Sequence, residues 1–315
     1  MSFLETLLSG NTAKERKKKQ ICAIVIAATA FLLAISIIAF AICQVVDATM
    51  HLTSNKEKDD TETEAPVDLG ETTALQLSKE EVVYSGNLLT LNDEKHYKGE
   101  PDLINIYDNR NGAYLSVRTV NRTKLEATQN TIKNLCQMVI DCNEAINDNN
   151  LIVSNAYNTS EITTQSGIYS SGEAIALTCF VEAELSDTGE LPINEVSKYK
   201  WIYNNAHKYG FIAVSKSSNV FRYVGVQHAT AAKSQGLYLN NYLKKLKQAT
   251  IENPMKLDVN GTAVAYYCPI SDVKVPKNYS YVISGDNVDG VIITVSLTSS
   301  SNNTANNNGN VEEIE

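Results

Sequence analysis

Residues 21–46 form an almost unbroken apolar run, without a single charge and interrupted only by Thr29, Ser36 and Gln44. No other segment narrows the options so far, because within hydrocarbon a lone span must satisfy every backbone N–H and C=O by itself, and only a helix does that. At ~1.5 Å rise per residue the run is long enough for a ~30 Å hydrocarbon layer. Lys14, Arg16, Lys17, Lys18 and Lys19 precede it and Asp47 follows it, so the positive-inside rule assigns residues 1–20 to the cytoplasm and the rest of the chain to the far side of the membrane. A cleaved secretory signal is the competing reading. The run exceeds the usual signal core and no Ala-x-Ala site follows closely, which favours an uncleaved single span. Ile42 before Cys43 is not the small residue that a lipid-attachment site requires.

Beyond the span, residues 47–78 are polar and acidic, with Lys-Glu-Lys-Asp-Asp-Thr-Glu-Thr-Glu at their centre and no periodic apolar face. They read as a stalk. Residues 299–315 are rich in Asn and read as a disordered tail. The formal charge of -9 excludes nucleic acid as a partner, since phosphate contacts need a basic face.

Between stalk and tail the pattern is α+β: a small antiparallel sheet with packed helices over residues 79–250, then a small β extension over 251–298. Short apolar runs at 88–91, 103–107 and 113–117 read as strands. Residues 124–146 read as an amphipathic helix, because Thr128, Ile132, Leu135, Val139, Cys142 and Ile146 recur at three- and four-residue spacing. Residues 174–185 alternate, Ile175, Leu177, Cys179 and Val181 opposing Thr178, Phe180 and Glu182. Residues 195–209 read as a helix capped by Gly210, and 227–235 and 239–247 as two more. Strands are expected at 263–268, 279–284 and 291–297.

Trp201, Ala206, Tyr209, Gly210 and Phe211, then Phe221 to Gly225, then Gly236, Leu237, Leu239, Tyr242 and Leu243 follow one another in a specific order and spacing. In this the chain resembles the VanY-like D-alanyl-D-alanine carboxypeptidases, zinc peptidases that trim peptidoglycan stem peptides, over roughly residues 86–246. The resemblance implies a D-Ala-D-Ala carboxypeptidase-like fold in a bacterial cell membrane protein whose outer domain is extracytoplasmic. It also implies where a zinc site would stand. The last zinc histidine corresponds to Val220 and the catalytic glutamate to Ser217. The Ser-x-His-x6-Asp segment corresponds to Ser171, Glu173 and Phe180, and the Arg-bearing substrate segment to residues 154–159, where Tyr157 is kept and the Arg is absent; Gln165 matches the family's Gln. A zinc peptidase needs about three protein ligands and an open position, so these positions mark a degenerate cleft with no catalytic residues and no metal, and no cofactor is expected although the family uses zinc. Tyr157, Gln165, Ser171, Arg222 and Tyr223 are the candidate ligand contacts.

The other chemistry-bearing residues have plainer readings. His207 lies at a helix end and His228 in a first turn. Asp286 and Asp289 supply too few oxygens for calcium. Cys136 and Cys142 are six residues apart on one helix, ~9 Å of rise against a bridging limit of ~7 Å, so they cannot pair. A Cys179–Cys268 bridge stays open. Three functions remain: an inactive carboxypeptidase-like domain that binds a stem peptide or an envelope protein, an active D-alanyl-D-alanine carboxypeptidase with a rearranged site using Glu173, and a structural envelope scaffold.

Overall fold

The computed structural model describes residues 67–300 except 111, 121–123, 162–163, 183–185, 187–188 and 259, with the backbone alone for Ser299 and Ser300. The predicted membrane span, most of the stalk and most of the tail lie outside the described residues. None of the described helices is long and apolar enough to cross a membrane.

Helix α1 (Lys79–Val82) and strand β1 (Thr72–Leu75) open the described chain, followed by β2 (Ile104–Asn105), β3 (Arg118–Thr119) and β4 (Leu125–Ala127). Helix α2 (Gln129–Ile146) is shorter than the expected 124–146 helix. Thr128 does not belong to its apolar stripe: the residue is extended and its hydroxyl accepts from the Thr131 N–H at 3.3 Å, so it caps the helix. Residues upstream of the cap are free to pair, and β4 bonds to β2 and to β6 (Tyr157–Asn158).

The central sheet contains β3, β5 (Leu151–Asn155), β7 (Ala174–Phe180), β10 (Val220–Tyr223) and β9 (Phe211–Ala213) in that order, with β8 (Glu190–Pro192) on β7. It is mixed rather than purely antiparallel, because β3 runs parallel to β5. Ile175, Leu177 and Cys179 of β7, with Leu151, Val153, Phe211 and Phe221, pack against Ile132, Leu135, Met138, Val139 and Cys142 of α2. Each such side chain removed from water contributes roughly 1.5–3 kcal/mol. The opposite face carries Ala174, Ala176 and Val220 against Tyr169.

The 195–209 segment is a helix in pieces: two 3-10 turns, then α3 (Lys200–Asn205), then a 3-10 turn over Ala206–Tyr209 that ends on Gly210 at φ 80°. Helices α4 (Val226–Ser234) and α5 (Leu239–Leu246) follow. They cover one face of a four-stranded sheet of β11 (Met255–Lys256), β12 (Ala263–Pro269), β15 (Gly290–Ser300) and β14 (Tyr279–Gly285). Its other face packs on Val273 and Val275 of β13 (Val273–Pro276), which pairs with β1. His228 pins this layer, its two ring nitrogens 2.7 Å from the Tyr242 hydroxyl and 2.8 Å from that of Thr294.

Two expected strands are absent for a readable reason. Residues 113–117 form turns held by Arg110, which donates from Nε to the Tyr107 carbonyl at 2.5 Å and from Nη1 to those of Tyr114 and Val117 at 3.0 and 3.1 Å. Residues 88–91 bury Leu88, Leu89 and Leu91, yet their N–H groups reach Ser284 Oγ and the Asp286 carbonyl instead of a ladder. The Cys179–Cys268 bridge does not form. Both thiols are free, and they sit in separate hydrophobic clusters.

Candidate functional site

Antiparallel pairing sets Arg222 of β10 opposite Ala174 of β7, and the Tyr223 N–H donates to the Glu173 carbonyl at 2.9 Å. That register brings two charged side chains together inside the protein. Arg222 is 0 % exposed and Glu173 7 %, and Nη2 of the former lies 2.9 Å from Oε2 of the latter. Ser171 donates to the same oxygen at 3.1 Å. The remaining guanidinium contacts run to the main chain, Nη1 to the Leu89 carbonyl at 2.5 Å and Nη2 to that of Asn87 at 3.4 Å, while Nε has no partner. Burial raises the Glu173 carboxyl above its ordinary range, with Arg222 and Ser171 opposing the rise. Burial first and the Glu173 charge second raise the hydroxyls of Tyr97 and Tyr223.

Chemically the arrangement is closed. Oε2, which already accepts from a guanidinium and a hydroxyl, has little left to offer a cation. Among the described residues no three His, Cys, Asp or Glu side chains gather as a metal would need. Glu173, the ligand-type side chain at the position that the resemblance assigns to a zinc ligand, is engaged through Oε2 by Arg222 and Ser171.

Of the other predicted positions, Ser171, Arg222 and Tyr223 join Glu173. Val220 is half-buried opposite Ala176, on the face beside Tyr169. Ser217 sits exposed in the turn between β9 and β10. Phe180 ends β7, ~20 Å from Ala174 along a strand rising ~3.3 Å per residue, 43 % exposed and 5.7 Å beneath the Arg118 guanidinium. Glu173 and Phe180 are therefore not brought together. Tyr157 is half-buried on β6, and buried Gln165 accepts from the Asn158 N–H at 3.0 Å, fastening its own loop.

Sequence reasoning missed what supports Arg222. The 87–98 segment that supplies its carbonyl partners is held by the turn between β14 and β15. Asp286 is fully buried there; its Oδ1 accepts from the N–H groups of Val288, Asp289 and Gly290 at 2.8, 3.0 and 3.0 Å, and its Oδ2 lies 2.6 Å from Lys247 Nζ. Burial opposes its charge, but Lys247 and those N–H groups outweigh it and hold the carboxyl below its usual range. Asn287, at φ 61°, donates to the His96 carbonyl at 2.9 Å and accepts from the Lys98 N–H at 3.3 Å. The signal was the Gly-Asp-Asn-Val-Asp-Gly turn, whose aspartates are structural.

The chain is 28 % identical over 243 residues, 69 % of its own length and 77 % of the other's, to a D-alanyl-D-alanine carboxypeptidase of Enterococcus faecium. No protein-family profile matches it. Its fold overlays, with a TM-score of 0.53 at 19 % identity, on the crystal structure of the vancomycin-resistance D,D-dipeptidase VanXYg in complex with a D-Ala-D-Ala phosphinate analogue, over 72 % of this chain and 100 % of that one. In sequence and in fold alike, the chain resembles the VanY-like D-alanyl-D-alanine carboxypeptidases.

Proposed function

We propose that this protein binds a D-Ala-terminated peptidoglycan stem peptide without hydrolysing it, on the outer side of a bacterial membrane in which residues 21–46 anchor it. The observation that carries the reading is the buried Glu173–Arg222 pair at 2.9 Å: the carboxylate that stands where the resemblance puts a zinc ligand is taken up by a guanidinium of the chain itself. Half-buried Val220, at the margin of the buried Ala174, Ala176 and Tyr169 cluster, is the apolar contact proposed for a small D-Ala methyl group.

Calorimetric titration of the full chain in detergent with zinc, alongside a D-Ala-D-Ala-ended pentapeptide, tests this. The expected result is saturable peptide binding, no stoichiometric zinc uptake and no free D-Ala. Zinc taken up one to one with release of D-Ala overturns it in favour of a working carboxypeptidase; no peptide binding overturns it in favour of an envelope scaffold.

A further inference from the structure

Helix α4 and the Ala206–Tyr209 turn roof strand β9, and under that roof a cavity of 280 Å³ is left. Small residues are its cause. Ala213 stands directly opposite Phe221 in the ladder, and Ala206 and Ala229 line the same space, so no large side chain fills it. Phe221 and Leu237 supply apolar walls, and the Tyr203 ring packs 5.2 Å from that of Phe221. Successive side chains of a strand point to opposite faces, which puts Phe221 and this cavity on the other side of the sheet from Val220. The volume lies just under the ~300 Å³ at which small-molecule pockets begin.

The rim is cationic. Lys233 of α4 is exposed, and its Nζ donates to the Tyr203 carbonyl at 2.9 Å, which holds the ammonium against the cavity wall. One carbonyl occupies one of its three N–H donors. Lys208 follows His207, another lining residue, and both lysines act on that ring: burial first, then Lys233 and Lys208, lowers its pKa. Lys245 of α5 reaches back toward α4, its Nζ 2.6 Å from Gln235 Oε1. No Asp or Glu lines the cavity, and residues 196–251 hold eight lysines and no acidic residue in a chain of formal charge -9. Among the described residues Lys208, Lys233 and Lys245 form no ion pair. An unanswered positive rim over an apolar hole selects an anion with an apolar body.

We propose that this cavity binds a small monocarboxylate with a short aliphatic or aromatic body, the body lying against Phe221 and Leu237 and the carboxylate pairing with Lys233. The site is on the opposite side of the sheet from the face proposed for the stem peptide, so it stands whether or not that peptide binds.

Fluorine NMR titration of the full chain in detergent with para-fluorophenylacetate provides the test. Saturable binding that weakens as salt is added is the expected result. Trifluoroacetate, which keeps the charge and lacks the body, and para-fluorobenzylamine, which keeps the ring and reverses the charge, should not bind. Lys233→Gln should weaken binding of the acid several-fold and remove its salt dependence. Ala213→Leu sets a larger side chain opposite Phe221 and should abolish binding while the circular dichroism spectrum stays unchanged; should that variant unfold, the two control ligands and Lys233→Gln decide. Ligand that merely partitions into detergent would bind alike with every variant. Absence of saturable binding, equal binding of the amine, or unchanged affinity in Lys233→Gln or in folded Ala213→Leu overturns the proposal.

Discussion

The guanidinium of Arg222 and the carboxylate of Glu173 meet 2.9 Å apart although 49 positions separate them in sequence, and neither group reaches solvent to any useful extent. A buried pair of this kind adds little net stability, yet deleting one partner strands the other's charge in a low-dielectric interior. Glu173→Ala is therefore expected to cost about 3–5 kcal/mol, read as a lower urea midpoint, whereas a zinc ligand would show its loss only when metal is added.

Acid should loosen the helical layer through His228. Burial lowers its pKa from 6.5 to about 4, so the folded state holds fewer protons than the unfolded one between those values. The stability contribution is complete above pH 6.5 and is lost as pH falls toward 4, amounting to about 3 kcal/mol at 1.36 kcal/mol per pH unit. Urea midpoints measured at pH 7, 5.5 and 4 should fall along this slope, and His228→Gln should flatten it.

Asp286→Ala removes the acceptor of three turn N–H groups and the partner of Lys247 at once. The Gly290 N–H is buried and the other two only partly so; one unsatisfied buried donor costs about 1–3 kcal/mol, and a destabilisation of at least that size is expected. Hydrogen exchange should report faster amides at Leu88 and Thr90 as well as in the turn itself, and protection unchanged at those two positions would refute the coupling.

The four described cysteines are buried, free thiols. Burial raises Cys136 to about 11 and Cys142 to about 12, leaving almost no thiolate at neutral pH. Iodoacetamide mapping by mass spectrometry should label none of the four in the native protein and all of them in urea.

Much of this fold was legible: α2 prints the period of its one buried face on the sequence, and β7, β12 and β15, buried on both faces, stand out as apolar runs rich in strand formers. Thr128 misled because three- and four-residue spacing fits a cap as well as a stripe, and only its hydroxyl contact separates the two. The 113–117 run looked like a strand, but side-chain donors from Arg110 satisfy its carbonyls, an alternative that hydrophobic pattern cannot register. At the candidate site, Glu173, Ser171 and Arg222 could be named from sequence. Their mutual engagement could not, since the Leu89 carbonyl that receives Arg222 lies 133 positions away.

The clasp between residues 284–290 and 87–98 also sets a schedule. On a ribosome Arg222 emerges before residues 284–290, so the segment that supplies its carbonyl partners is fastened only after the final hairpin has left the exit tunnel. Nascent chains halted before residue 284 should stay protease-sensitive around residue 222, and a premature stop near the end of the gene would dismantle the middle of the protein.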